Sequence, residues 1–233
     1  MLTDQPVLLE YEHGGCSVAC LVTGEKWKQN SYIVTHKDSS NTIVIDPGSE
    51  AEFIIQHIGS VGGRLTHIFL THPHHDHVGA VSQLSEQYDV VCELHQQDVR
   101  LLMHAPTYAL TFAKQKIRSI SRFKAFVELS INDEVPKVRS LHTPGHTKGS
   151  TCYLFEGFVF TGDTLLHKLI GRTDLPGGCL KTLNTSVTDL LSELPDDTVI
   201  FPGHGKPWIA RDAVKWWNEA LSAPPQHDQF VQL

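Results

Sequence analysis

The sequence predicts an α/β layered sandwich, and three observations carry that prediction. Short apolar strand-like runs cluster in both halves of the chain with helical segments interspersed, a pattern that suits stacked sheet and helix layers rather than one doubly wound sheet. The 233 residues are enough to bury a sizeable core. With 40% hydrophobic and 19% charged residues, the chain is too apolar for disorder and ordinary for a soluble globular protein. One domain over 1–233 is expected, with a helical insertion at about 96–126 and a short C-terminal helix and tail at 208–233.

Three short strands are expected at 17–23, 30–36 and 42–46. The last of them, in NTIVIDPG, is an apolar β-branched run stopped by Asp-Pro-Gly, which reads as a strand and then a turn. Residues 49–59 carry apolar positions at helical spacing, with Ser49 placed to cap the N-terminus. THIFLT at 66–71 reads as a buried strand, 78–88 as a helix and 90–94 as a short strand. Residues 107–124 are expected to be helical. They hold Lys114, Lys116, Arg118, Arg122 and Lys124 and no acidic residue. Strands follow at 138–141, 151–155 and 158–161, then a helix at 183–194, a strand at 198–201 and a helix at 210–221.

Composition excludes several function classes. A formal charge of -7 gives no general attraction for nucleic acid or an anionic membrane. No run approaches the roughly 18 apolar residues of a membrane span. The first residues, MLTDQPVLLEYEH, lack the basic flank and apolar stretch of a signal peptide. Five scattered cysteines suggest reduced thiols in a reducing compartment, so a cytoplasmic location is expected.

Fifteen histidines are unusual and direct attention to ligand clusters. The densest is Thr71-His72-Pro73-His74-His75-Asp76-His77. Its candidate ligands His72, His74, Asp76 and His77 are offset by two, two and one, which suits a loop wrapped around a metal pair rather than one helix face. Three more candidates lie after apolar strands and beside Gly or Pro: His146 in HTPGHT, Asp163 in TGDT and His204 in PGHG. Loops leaving one end of a sheet layer can converge on a point. Five imidazoles and two carboxylates exceed one tetrahedral ion and suffice for two, with zinc the best match and iron or manganese also suited. His75 is read as a solvated loop residue, and His67, His95, His104, His142 and His167 as ordinary structural or surface histidines.

THPHHDHVGA resembles the T-H-x-H-x-D-H signature of the metallo-β-lactamase superfamily. HTPGHTKGS, FTGDTLL and FPGHG resemble its later motifs, in order, and the likeness runs from about Asn30 to Pro207. The resemblance implies a four-layer αβ/βα sandwich. It implies one metal on His72, His74 and His146, a second on Asp76, His77 and His204, a bridge at Asp163, and a structural role for Asp46. True β-lactamases generally lack the bridging carboxylate. TGDTLLHKLIGRTDLPGG looks instead like small bacterial glyoxalase II (hydroxyacylglutathione hydrolase) proteins. It also resembles the persulfide dioxygenases, in which positions matching His72, His146 and Asp163 hold a single iron.

The expected activity is thus thioester hydrolysis by a hydroxide held between two divalent ions, whose bound water ionises near pH ~7. Asp76 is expected to serve catalysis by orienting that hydroxide. A persulfide dioxygenase, or a lactonase or other ester hydrolase, is the alternative. The substrate is expected to be a small acyl compound, an anionic thioester, with no nucleic-acid or membrane partner. Lys114 and Arg118, four apart on the expected helix, and Arg172 are the candidates for binding it. Longer glyoxalase II enzymes add a helical region with glutathione contacts; here a short tail follows His204.

Overall fold

The computed structural model describes residues 7–24, 28–132 and 136–222. The first half supplies β1 (Val7–His13), β2 (Cys16–Thr23), β3 (Gln29–His36), β4 (Asn41–Ile45), β5 (Arg64–Phe69), β6 (Cys92–His95) and β7 (Phe123–Phe126), which pair in chain order in one sheet. Strands β1 to β4 are antiparallel, and β4 to β7 are parallel. Parallel neighbours need crossovers, and these are α1 (Ala51–Ser60), α2 (His75–Val78) with α3 (Val81–Tyr88), and α4 (Val99–Tyr108).

The second half supplies β8 (Ser130–Ile131), β9 (Val138–His142), β10 (Thr151–Phe155), β11 (Phe158–Gly162), the small hairpin β12 (Leu165–Leu166) and β13 (Leu169–Ile170), α5 (Leu180–Glu193), β14 (Val199–Pro202), β15 (Trp208–Ile209) and α6 (Ala210–Ser222). The second sheet has the order β15-β14-β11-β10-β9-β8.

Alternation along the strands assigns the layers. Tyr32, Val34, Ile43, Ile45, Phe69, Tyr153, Phe158, Phe160 and Phe201 fill one apolar cluster between the two sheets. Their neighbours Ile33, Val44 and Ile68 face α1, α3 and α4 in a second cluster. Cys152, Val159 and Ile200 face α5 and α6 in a third. Three clusters separate four layers, the αβ/βα sandwich expected. Among the described residues no helix is long and apolar enough to cross a membrane. All five cysteines are free, and only Cys179 is exposed.

Three local expectations are corrected. The residue preceding α1 is Glu50, in the left-handed region at φ 49, and no side chain caps the helix. The Glu50 carboxylate instead accepts the Gly24 N–H at 2.9 Å. The helix expected at 78–88 is two pieces, because the backbones of Gly48 and Gly79 touch there; a Cβ at residue 79 would run into the Gly48 carbonyl. The helix expected at 107–124 ends early. A π-helical turn follows α4 at Ala109–Ala113, and Lys114 at φ 58 closes it. Without acidic partners at helical spacing, the basic run finds them elsewhere: Arg118 pairs with Glu86 at 2.8 Å and Arg122 with Asp89 at 2.5 Å. The end of the expected tail, 223–233, lies outside the described residues.

Candidate metal centre

The candidate ligands leave the same end of the two sheets. His72 and His74 lie in the loop after β5. Asp76 and His77 follow in α2, a single helical turn rather than the loop expected. His146 follows β9, Asp163 follows β11 and His204 follows β14. Three groups of donor atoms result: His72, His74 and His146; Asp76, His77 and His204; and Asp46, His72 and His77. His146 Nε2 lies 3.2 Å from His72 Nε2 and 2.9 Å from His74 Nδ1. His77 Nε2 and His204 Nε2 are 3.4 Å apart. His72, His77, His146, Asp163 and His204 are all buried.

Hydrogen bonds fix which nitrogens face inward. His146 Nδ1 lies 2.7 Å from the Arg172 carbonyl and His204 Nδ1 2.8 Å from the Lys28 carbonyl. A carbonyl only accepts, so both Nδ1 atoms carry protons. His77 Nδ1 donates to Asp46 Oδ2 at 3.0 Å. Thr71 Oγ1 gives its proton to the same Asp46 oxygen and therefore accepts from His72 Nδ1 at 3.1 Å. In the neutral rings, four Nε2 lone pairs then point into one small volume with no donor between them. Lone pairs at such distances repel unless a cation or a proton sits among them, and imidazoles oriented from behind by oxygens are the habit of metal ligands. The donors therefore fit a pair of divalent ions.

The electrostatics divide the two groups. Burial, reinforced by neighbouring imidazoles, pushes His72 far below its ordinary range and His74 down to about 3. Burial also lowers His146. Burial acts the same way on His204, but the Asp163 and Asp76 carboxylates outweigh it and raise the ring to about 9. His77 is raised against burial by Asp76 and Asp46. Burial alone would raise Asp76, yet His77 and His204 hold it below the usual carboxylate range. At pH 7 His204 of the metal-free second group thus holds a proton that a divalent ion must displace. Loading the apoprotein at pH 7 should release about one proton per chain from this group, measured by calorimetry in buffers of differing ionisation enthalpy. A heat independent of buffer would contradict it.

Asp163 lies between the groups. Its Oδ2 is 3.6 Å from His146 Nε2 and 3.7 Å from His204 Nε2, and its Oδ1 is 3.7 Å from His77 Nε2. That Oδ1 is buried without a hydrogen-bond partner, an arrangement a bound cation relieves. Gly203 leaves it room: a Cβ there would collide with Asp163 Oδ1 and lie 2.9 Å from His77 Cε1. Gly203→Ala should therefore lower metal content while the chain stays folded, at a cost of about 1–3 kcal/mol from overpacking. Metal analysis beside circular dichroism checks it; wild-type metal content would show that the crowding is absorbed.

Asp46 groups with His72 and His77, but its oxygens are already engaged by hydrogen bonds, so the two groups that flank Asp163 are taken as the ion sites. Its oxygens accept from Thr71 N at 2.7 Å, Thr71 Oγ1 at 2.5 Å and His77 Nδ1, on the far side of the imidazole from the second group. His75, expected to be solvated, is only 14% exposed, with Nδ1 3.8 Å from Asp76 Oδ1. His95 and His142 stack on each other at 4.0 Å, and His167 lies against Trp208 at 4.9 Å.

The three substrate-binding candidates behave differently from expectation. Arg172 forks onto Asp174 with two bonds of 2.7 Å, and it is its backbone carbonyl that serves the centre, through His146. Lys114 and Arg118 share no helix face, because the helix stops before Lys114. Arg118 is engaged by Glu86, while exposed Lys114 donates to the Thr111 carbonyl at 3.1 Å. Sequence reasoning missed Asn30 and Asp98, two buried side chains that hold the loops carrying His204 and His146. Asp98 follows QQ after β6 and Asn30 opens a strand, and neither has a motif to mark it.

Residues 24–204 match the metallo-beta-lactamase superfamily, and the chain belongs to that superfamily. Among its relatives is a Haemophilus influenzae protein described as hydroxyacylglutathione hydrolase GloC. It is 36% identical over 176 residues, covering 72% of this chain and 82% of that one. The crystal structure of TTHA1623 in a di-iron-bound form is similar with a TM-score of 0.74 at 32% identity, over 83% of this chain and 96% of that one. ETHE1 from Myxococcus xanthus is similar with a TM-score of 0.69 at 25% identity, over 89% and 92% of the two chains.

Proposed function

We propose that this protein is a dinuclear metal-dependent hydrolase of thioesters, akin in activity to hydroxyacylglutathione hydrolases. The position of Asp163 carries the dinuclear part: its carboxylate lies between two complete donor groups, near His146 on one side and His77 and His204 on the other. The likeness to a hydroxyacylglutathione hydrolase supports the thioester part. Zinc is the ion proposed, although the same donors suit iron, as the di-iron form of a similar structure illustrates. When bound, such a pair supplies Lewis acidity and a nucleophile near neutral pH.

The chain's own residues do the positioning. His72, His74 and His146 form the side toward which the substrate carbonyl is directed. Asp76 is part-exposed, and its Oδ2 faces His204 Nε2 at 3.4 Å. It stays ionised against burial, so it orients the attacking water by accepting its proton in a hydrogen bond. A thiolate leaves without a strong general acid, so none is required.

Metal quantification coupled to turnover of a thioester, a lactone and a phosphodiester tests the reading. Two zinc-type ions per chain with preferential thioester turnover are expected. One iron per chain with oxygen-dependent oxidation of a persulfide would establish the other chemistry, on His72, His146 and Asp163. The substrate's anionic end is proposed to meet exposed Lys114 beyond α4, since Arg118, Arg122 and Lys124 are engaged by Glu86, Asp89 and Glu93. Lys114→Glu should raise KM for an anionic thioester severalfold at low salt and leave kcat unchanged. A KM equal to that of the wild type would remove Lys114 from substrate recognition.

A further inference from the structure

Each of the two donor triads flanking Asp163 straddles the two halves of the sandwich. His72, His74, Asp76 and His77 come from the segment after β5, in the first half. His146 and His204, one per triad, come from loops after β9 and β14, in the second. The geometry of each triad therefore depends on how one second-half loop is registered against the first half. Three buried side chains of the first half reach across to these loops: Asp98 to the one after β9, and Asn30 with Tyr32 to the one after β14.

Asp98, 2% exposed, stands just after β6. Its Oδ2 accepts the Thr147 hydroxyl at 2.5 Å and its Oδ1 accepts the Gly149 N–H at 2.9 Å. The Thr147 proton is thus committed to Asp98. Ser150 Oγ, which accepts the Thr147 N–H at 2.9 Å, turns its own proton to Thr147 Oγ1 at 2.7 Å. The run Ser150 to Thr147 to Asp98 has one direction and closes on a carboxylate. A side chain at residue 149 has no room, since its Cβ would lie 2.8 Å from Asp98 Cβ. The tie grips the residue after His146 and the one two further on.

Asn30, also 2% exposed, does the same for the other loop. Its Nδ2 donates to the Pro202 carbonyl at 3.0 Å and the Gly205 carbonyl at 2.8 Å, and its backbone N–H donates to the Gly203 carbonyl at 2.8 Å. These carbonyls flank His204 on both sides. Tyr32 adds its hydroxyl to the Pro202 carbonyl at 2.6 Å. Neither Asp98 nor Asn30 belongs to a donor group. A buried polar group is expensive to leave unpaired, so each tie holds its loop in one register.

We infer that Asp98 and Asn30 are positioning residues that tune the two metal triads separately: Asp98 sets the triad of His72, His74 and His146, and Asn30 sets the triad of Asp76, His77 and His204. The inference rests on the dinuclear reading and adds that the two sites have independent supports.

Zinc affinity in single-site backgrounds tests it, by competition with a chromophoric chelator. His204→Ala leaves the first triad intact and His146→Ala leaves the second. In the first background Asp98→Asn should weaken zinc binding roughly tenfold or more, the lower end of the usual effect of residues behind metal ligands. In the second background it should change binding less than twofold. Asn30→Ala should give the opposite pattern. Where either variant fails to fold by circular dichroism, Thr147→Val replaces Asp98→Asn and Tyr32→Phe replaces Asn30→Ala. Thr147→Ser, which keeps the hydroxyl, should restore the first site. Equal weakening of both sites by either variant, or of neither, overturns the inference. Parent backgrounds that bind no zinc would overturn the dinuclear reading instead.

Discussion

Asp163→Ala should remove metal and activity together. The expected loss in kcat is at least about a thousandfold, equivalent to ~4 kcal/mol of transition-state stabilisation. Asp163 places its oxygens within 3.7 Å of Nε2 atoms of both triads, so its removal takes away a carboxylate that offsets divalent charge at both. Two measurements decide the matter: metal per chain after gel filtration, and thioester turnover with zinc in excess. Full activity with a single ion bound would sink the dinuclear reading. Asp163→Asn separates charge from shape. It keeps an oxygen in place but halves the donors, and it should retain part of the metal at saturating zinc.

The second large effect is expected at Asp46, away from the ions. Three donors converge on this buried carboxylate. Through Nδ1 it orients His77 of one triad, and through Thr71 it orients His72 of the other. Asp46→Ala should destabilise the metal-free protein by about 3 kcal/mol, since one hydrogen bond to a charged group contributes roughly 1.5–3 kcal/mol and the three are not additive. For a chain of this size the shift in Tm is roughly 6–12 °C. Zinc should weaken at both sites, in contrast to the selective losses expected at Asp98 and Asn30. Asp46 also holds a left-handed backbone at φ 49, a conformation Asp and Asn tolerate better than Ala. Asp46→Asn is therefore the milder variant, and a Tm drop as large as that of alanine would show that charge rather than backbone strain dominates.

The layered fold was legible because the strands are short apolar runs bounded by turn signals; Tyr32, Ile33 and Val34, or Phe158, Val159 and Phe160, turn to opposite faces and both faces are buried. The convergence of the seven donors was legible for a related reason. Strand ends are fixed points, and a histidine or aspartate placed just beyond one has little freedom in where it goes. What was not legible depended on distant partners. The basic run after α4 has helical spacing, but Glu86 and Asp89 of another segment claim Arg118 and Arg122. Ser49 looked like a cap, yet Glu50 takes the left-handed turn and accepts the N–H of Gly24, just past the end of β2. Asn30 and Asp98 each bond to residues more than forty positions away, and single polar residues carry no local signal of that.

The straddling of both triads across the two halves also orders events during synthesis. A chain still emerging from the ribosome carries His72, His74, Asp76 and His77 long before their partners. Neither of the two triads flanking Asp163 is complete until its second-half residue, His146 or His204, has been made. On the dinuclear reading, full-affinity metal capture at either triad therefore requires that the two sheets have docked. The ions act as a clasp on a finished sandwich rather than as a seed for it.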